Sequence, residues 1–138
     1  MLFVALAAAT IAVPFDAATR SALPAATATL TAHGTSQQCT GVWLRDLVAG
    51  AGVPSGETVK GPALAITVAA EAADGYRVIF SLGELDAKLG KAAILVADHC
   101  DGKPLPDRDG PVRLVAQGEA RGARSVKQLV RILVIPAS

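Results

Sequence analysis

The architecture of the chain is best indicated by one stretch of its sequence, Asp109-Gly-Pro-Val-Arg-Leu-Val-Ala-Gln-Gly-Glu-Ala-Arg-Gly-Ala-Arg-Ser-Val-Lys-Gln-Leu-Val-Arg-Ile-Leu-Val134. It holds two apolar runs rich in β-branched residues, Val112–Ala116 and Val130–Ile135, and these predict two buried strands. A loop rich in Gly and Arg, ending in Ser125-Val-Lys127, lies between them. The expected local order is therefore a strand, a cationic loop and a second strand.

Length and composition limit the class of protein. The chain has 138 residues, a net charge of +1, a hydrophobic fraction of 51% and an aromatic fraction of 4%. One domain is the natural expectation, and a chain of this length can bury a core without extra cross-links. The small net charge argues against a nucleic-acid partner, because such proteins need a basic face that displaces counterions. The sequence also lacks a polybasic signal for membrane surfaces.

The first residues predict export. Met1–Phe15 is almost wholly apolar and rich in Ala, so residues 1–22 are interpreted as a secretory signal peptide and 23–138 as the domain. No Lys or Arg precedes Arg20, and Asp16 stands where cleavage favours a small residue, so a first buried strand or helix is the alternative. The apolar run is shorter than the roughly 20 residues that span a bilayer, so we expect no stable membrane span in the mature domain. The expected location is the periplasm, if the source is a Gram-negative bacterium.

The rest of the chain alternates short strands and short helices without βαβα order. Alternation over Ala25–Ala32 predicts a half-buried strand, followed by a turn at His33–Ser36. Apolar spacing predicts a helix over Trp43–Ala51, and Ser81–Glu84 has the spacing of a capping box. The other expected strands are Ala63–Ala70, Tyr76–Phe80 and Ala92–Ala97. This order favours an α+β fold, with a mixed β-sheet and short helices, over a doubly wound sheet.

Five sequence segments, in order, resemble a known family. They are Gly41-Val-Trp-Leu-Arg-Asp-Leu47 with Ala51-Gly-Val53, the turn Asp74-Gly-Tyr76, Leu82 with Glu84-Leu85, Ile94-Leu-Val96 with Asp101-Gly-Lys-Pro-Leu105, and Gly-Pro-x-Arg-Leu-Val with Arg-Ser-Val-Lys near the end. They are similar to segments of the molybdopterin-binding domain of sulfite-oxidase-type oxidoreductases, and they cover about Leu30 to Val134. The resemblance implies that fold in a trimmed form.

The resemblance also implies a chemistry. Catalytic members hold molybdenum by the two sulfurs of a pterin and by one Cys thiolate, a soft ligand, and they transfer an oxygen atom or reduce an oxidised small molecule with electrons passed to a partner. The family's Cys follows the first strand, where this chain reads Thr31-Ala-His-Gly34. Cys39 lies nearby and is the candidate metal ligand. Because the Cys is missing from its expected place, the alternative is a non-catalytic periplasmic binding or interaction module on the same fold.

The loop before the last strand carries the candidate cofactor-binding residues. In the family this Gly…Arg-Ser-x-Lys loop helps to hold the terminal phosphate of the pterin. Arg124, Ser125 and Lys127 match it, and Arg121 lies in the same loop. Arg and Lys supply charge-assisted donors and Ser a hydroxyl, which suits molybdopterin or another small phosphorylated ligand. Gln128 stands where catalytic members carry Trp, and the alternative is a solvated loop in a protein that binds a periplasmic protein partner.

The two cysteines, Cys39 and Cys100, have three interpretations. In an exported protein an even number of Cys predicts a disulfide, and two buried free thiols are the alternative. With His33 and His99 they could also form a soft metal site, although His99 and Cys100 are adjacent and would point to opposite faces of an extended chain. The aspartates of the following loop, Asp98, Asp101, Asp107 and Asp109, are expected to be solvated turn residues.

Overall fold

The computed structural model describes residues 9–136, which form nine strands and three short α-helices. In chain order they are β1 (Ile11–Ala12), α1 (Ala17–Ser21), β2 (Ala26–Ala32), β3 (Thr35–Trp43), α2 (Leu44–Gly50), β4 (Thr67–Ala72), β5 (Arg77–Ser81), α3 (Leu82–Leu85), β6 (Ile94–Cys100), β7 (Lys103–Pro104), β8 (Arg113–Ala116) and β9 (Leu129–Ile135). Short 3-10 turns occupy Gly56–Thr58, Gly61–Ala65 and Gly122–Arg124.

The strands form two sheets. Sheet one has the order β1-β9-β4-β5, and sheet two has the order β2-β3-β6, with β7 and β8 both paired to the far side of β6. Every pairing between the described strands is antiparallel. The structure is therefore mostly β-sheet with few short helices, which confirms the coarse α+β class. The expected mixed β-sheet is instead two antiparallel sheets, because each described strand pairs with a neighbour that runs in the opposite direction.

Sheet one begins at Ile11, ahead of the domain boundary expected at residue 23. Ile11 pairs with Val134 of β9, so the first and last described strands are neighbours. Val13 is only 4% exposed, lies in the main core and donates its N–H to the carbonyl of Ile132 at 2.8 Å. Residues 1–8 of the expected signal peptide lie outside the described residues, so the signal peptide stays a prediction.

The core is divided by sheet two. Its main part combines side chains of both sheets with α2 and α3, and the largest fully buried ones are Phe80, Leu44, Leu85, Leu114 and Ile132. A smaller cluster includes Leu95, Ala97 and both cysteines. Along β6, Ile94 and Val96 belong to the main core and Leu95 and Ala97 to the smaller cluster, as the alternation of a strand requires. Both faces of β6 are therefore apolar, which explains the continuous apolar run in the sequence.

Most of the local predictions are confirmed. The strand over Ala25–Ala32 is β2, and the helix over Trp43–Ala51 is α2. In the capping box, Ser81 Oγ accepts the Glu84 N–H at 3.0 Å and Glu84 Oε1 accepts the Ser81 N–H at 2.9 Å. The strand over Ala63–Ala70 is wrong in its first half, because Gly61–Ala65 forms a 3-10 turn with Pro near its start, where the fixed φ of Pro suits helical geometry.

The approach of β3 to β6 at Gly41 gives a test of the fold. A Cβ on Gly41 would lie 1.9 Å from the carbonyl oxygen of Val96, a backbone atom that cannot turn away. We expect Gly41→Ala to lower the free energy of unfolding by about 2–3 kcal/mol, measured by urea denaturation. The control is Gly50→Ala in α2, where nothing lies within 4 Å of the added atom and Ala favours the helix by up to about 1 kcal/mol. Equal losses in the two variants would contradict the close approach.

Candidate functional site

The loop between β8 and β9, residues 117–128 and here named the C-terminal loop, is bonded along its second half to β8. Leu114 N–H donates to the carbonyl of Val126 at 2.8 Å, and Ala116 N–H donates to Ser125 Oγ at 2.9 Å. Ser125 is buried, and its hydroxyl has one proton left to donate. These bonds fix the end of the loop beside the strand that carries Arg113.

Arg113 carries its charge inside β8. Its side chain is buried, Nη2 donates to the carbonyl of Ser125 at 2.8 Å and Nε donates to the carbonyl of Leu114 at 3.2 Å. Within residues 9–136, Nη1 has no hydrogen-bond acceptor. Burial lowers the pKa of Arg113 and the nearby charge of Asp109 raises it, but guanidinium groups stay protonated in proteins. A buried cation with an unused donor is a group that an anionic ligand would stabilise.

A cavity of about 750 Å³, here named the cationic cavity, opens between the β2–β3 turn at His33 and the C-terminal loop. Its charged lining residues are four cations and one carboxylate, namely Arg108, Arg113, Arg121, Lys127 and Asp109. A smaller cavity of about 180 Å³ shares Arg108, Asp109 and Arg113 with it. Because the cations outnumber the carboxylate in a concave site, the electrostatic potential there favours an anion.

Three of the four predicted cofactor-binding residues meet at this cavity. Arg121, Ser125 and Lys127 line it. Arg121 is exposed, and Lys127 is 60% exposed with Nζ 3.7 Å from Asp109 Oδ1. Arg124 does not line the cavity.

Arg124 instead holds the C-terminal loop against sheet one. Its guanidinium donates to the carboxylates of Glu84 and Glu119 and, at 2.8 Å, to the carbonyl of Ile79. It also lies 4.3 Å from the ring centroid of Phe80. The hydrogen bonds to Glu84 and then Glu119 raise the pKa of Arg124 above its usual range. The geometry makes Arg124 a structural residue.

Cys39 and Cys100 form a disulfide between β3 and β6, where the two residues are paired in register. Neither sulfur is a thiolate in this state, so Cys39 has no thiolate with which to bind a metal. His33 lines the cationic cavity, whereas His99 Nδ1 lies 2.8 Å from Asp98 Oδ1. Across residues 9–136, no three His, Cys, Asp or Glu side chains are grouped as a metal site requires.

Three residues at the cavity, Arg108, Asp109 and Arg113, were not predicted from the sequence as site residues. A signal for Arg113 was present, because it interrupts the apolar run Val112–Ala116 that was predicted to be a buried strand. Charged residues are almost never fully buried unless they have a partner. Asp109 was expected to be a solvated turn residue, and its Oδ1 atom is buried.

The fold and the cavity define a small two-sheet domain with a cationic site beside its last loop. The family model of the oxidoreductase molybdopterin binding domain matches residues 10–138, so the chain belongs to that family. The suspected resemblance is thereby confirmed. No curated protein matches the chain. Over residues 9–136, no helix has the length and apolar character needed to cross a bilayer.

The Arg124 network predicts a pH-dependent stability. Burial raises the pKa of Glu84, but the hydrogen bonds from Arg124 and from the Ser81 N–H, with the charge of Arg124, outweigh it and hold that pKa below 4.5. A carboxyl group whose pKa is lower in the folded state than in the unfolded state stabilises the fold at pH values above the unfolded-state pKa. This stabilisation is lost as the pH falls through the folded-state pKa. We expect Arg124→Gln to lower the free energy of unfolding by about 1–3 kcal/mol at neutral pH.

The measurement is urea denaturation of the wild type and of Arg124→Gln between neutral pH and about pH 3. The difference between the two should narrow as the pH falls. Arg121→Gln is the matched control, because Arg121 is an exposed Arg of the same loop. A difference that does not change with pH would contradict the assignment of Glu84 as the partner.

The disulfide predicts a second stability effect. It closes a loop with a sequence separation of 61, for which the chain-entropy relation gives about 4 kcal/mol. We expect Cys39→Ala with Cys100→Ala to lower the free energy of unfolding by about that amount, and each single variant to lose nearly as much. Urea denaturation with and without a reductant measures it. A wild type whose stability does not change on full reduction would be evidence against the cross-link.

Proposed function

We propose that the chain is an exported domain that binds a small phosphorylated ligand in the cationic cavity, with molybdopterin as the family's candidate. The observation that carries the proposal is the lining of that cavity, where Arg108, Arg113, Arg121 and Lys127 face a single carboxylate. Phosphate groups are anions whose oxygens accept several hydrogen bonds, and Arg and Lys are their usual partners.

The cations at the cavity differ in burial and in their hydrogen bonds to the protein, which suits a phosphate. Arg113 is buried and anchored by two carbonyls, so its unused Nη1 offers a donor in a fixed place. Arg121 and Lys127 are exposed, so they can adjust to the ligand. A fixed guanidinium supplies directional donors and a flexible ammonium supplies charge. The residues present therefore fit the phosphate end of a molybdopterin.

The metal end of that cofactor has no thiolate partner in the structure. When bound, molybdopterin supplies a redox-active molybdenum held by its own two sulfurs. Both cysteines of this chain are in the disulfide, and Cys39 is fully buried. This observation favours the second candidate function, a non-catalytic binding or interaction module on a trimmed sulfite-oxidase-type fold. We propose ligand binding, and we derive no oxygen-atom transfer from these residues.

Export is part of the proposal and has two supports. The apolar run Met1–Phe15 has the composition of a secretory signal, and disulfides persist in oxidising compartments such as the periplasm. Because β1 starts at Ile11 and Val13 lies in the core, we propose that any cleavage leaves these residues in place. The mass of the intact protein recovered from the periplasm tests this point.

The binding proposal predicts the effect of Lys127→Ala. We expect the affinity for inorganic phosphate, measured by calorimetry at low salt, to fall about tenfold because one charge-assisted contact is lost. The free energy of unfolding should change by less than about 0.5 kcal/mol, since the side chain is 60% exposed. Lys60→Ala is the control, because Lys60 is an exposed Lys that does not line the cavity. Loss of stability with unchanged phosphate affinity would sink the assignment.

The identity of the ligand needs a separate measurement. The protein is purified from the compartment to which it is exported and is analysed for molybdenum and for pterin fluorescence. A pterin in stoichiometric amount supports molybdopterin binding. Phosphate binding without any pterin would reject molybdopterin and leave the non-catalytic module.

A further inference from the structure

Two cavities meet at Arg113. The cationic cavity of about 750 Å³ adjoins the cavity of about 180 Å³, here named the small cavity. Arg121 and Lys127 line the cationic cavity alone, and Lys103 lines the small cavity alone. Four residues lie in the wall that the two cavities share, namely Gln37, Arg108, Asp109 and Arg113. The cations therefore extend from one cavity into the other, with Arg113 between them.

The two cavities concentrate positive charge. Together they are lined by five cations and one carboxylate, whereas the whole chain has a net charge of +1. Lys103 and Arg121 are exposed, and within the described part of the chain neither forms an ion pair. A phosphate group carries a charge of about −1.5 to −2 at neutral pH, so a single group balances at most two of these cations.

The backbone that carries Lys103 is fixed to sheet two. Lys103 of β7 pairs with Cys100 of β6, which is also in the disulfide to β3. In the turn before Lys103, the Asp101 N–H donates to the carbonyl of Gln38 at 2.7 Å, and Asp101 Oδ1 accepts the Gln38 N–H at 2.9 Å. The small cavity therefore has a cation on a strand of the same sheet that carries Arg113.

The size of the cationic cavity also exceeds the need of one phosphate group. Cavities that hold whole small molecules measure about 300–1,000 Å³. The cationic cavity alone, at about 750 Å³, lies within that range. A ligand held by one phosphate at Lys127 therefore has room to extend past Arg113 towards Lys103.

We propose that the ligand carries two phosphate groups joined by a short link. One group lies in the cationic cavity at Arg121 and Lys127, and the other lies in the small cavity at Lys103. The inference rests on the proposed function, since the first group occupies the site proposed there. Once that group is bound, the second binds within the same complex, so two modest contacts combine into one tighter interaction.

The first test compares inorganic pyrophosphate with inorganic phosphate on the wild-type chain. Calorimetry is done at neutral pH, at an equal ionic strength near about 0.1 M and without divalent cations, because that salt concentration screens distant charges. We expect one pyrophosphate to bind per chain, about 100-fold more tightly than phosphate, since its second group adds charge-assisted contacts.

The second test locates the second group with matched variants that each remove one cation. We expect Lys103→Gln to weaken pyrophosphate binding about tenfold and to leave the affinity for phosphate within about twofold. Lys127→Gln should weaken the binding of both anions about tenfold. Lys60→Gln is the control, because Lys60 is exposed and lines neither cavity. Lys103 is exposed as well, and urea denaturation checks that its variant keeps the wild-type stability.

The outcomes separate this inference from the proposed function. Equal affinities of the wild type for the two anions would overturn the two-phosphate ligand and leave a site for a single phosphate. A pyrophosphate affinity that Lys103→Gln lowers no more than Lys60→Gln does would also overturn it, as would an equal loss for both anions in Lys103→Gln. If neither anion binds to the wild type, the proposed function fails, and the two-phosphate ligand fails with it.

Discussion

The site depends on the hydrogen bonds that the buried guanidinium of Arg113 makes to backbone carbonyls. A charge inside β8 is tolerable only because the carbonyls of Leu114 and Ser125 accept two of its donors. Ser125 is in turn held by the N–H of Ala116, so the strand and the C-terminal loop stabilise each other. The same bonds leave Nη1 as the unused donor of a fixed cation at the cavity.

Two arginines give the C-terminal loop its conformation from opposite sides. Arg113 joins it to sheet two, and Arg124 joins it to α3 through Glu84 and to sheet one through the carbonyl of Ile79. These contacts hold the loop at the adjacent residues Arg124 and Ser125, and the side chains of Arg121 and Lys127, on either side of that point, line the cationic cavity. The role of an Arg in this loop therefore depends on its partners, because Arg124 supports the loop whereas Arg121 lines the cavity.

Local pattern was enough to predict β2, α2, the capping box at Ser81 and the cationic character of the C-terminal loop, because each depends on residues close in sequence. It could not predict the direction of Arg124, whose partner Glu84 is 40 residues away. The pairing of Ile11 with Val134 joins the two ends of the chain, and neither segment's pattern specifies the other. Periodicity gives the face that a side chain occupies, but the partner across two sheets follows from topology.

The disulfide and the cationic cavity both limit the chemistry that the proposed site can support. Cys39 and Cys100 support the β3–β6 pairing in a domain whose core has few aromatic side chains, and in that state they offer no thiolate. The specificity of the site must then come from the arrangement of charges at the cavity. A buried, hydrogen-bonded cation at Arg113 and an exposed cation at Lys127 set two different requirements for a ligand, for charge and for reach. A phosphate group, with its negative charge and several acceptor oxygens, meets both requirements.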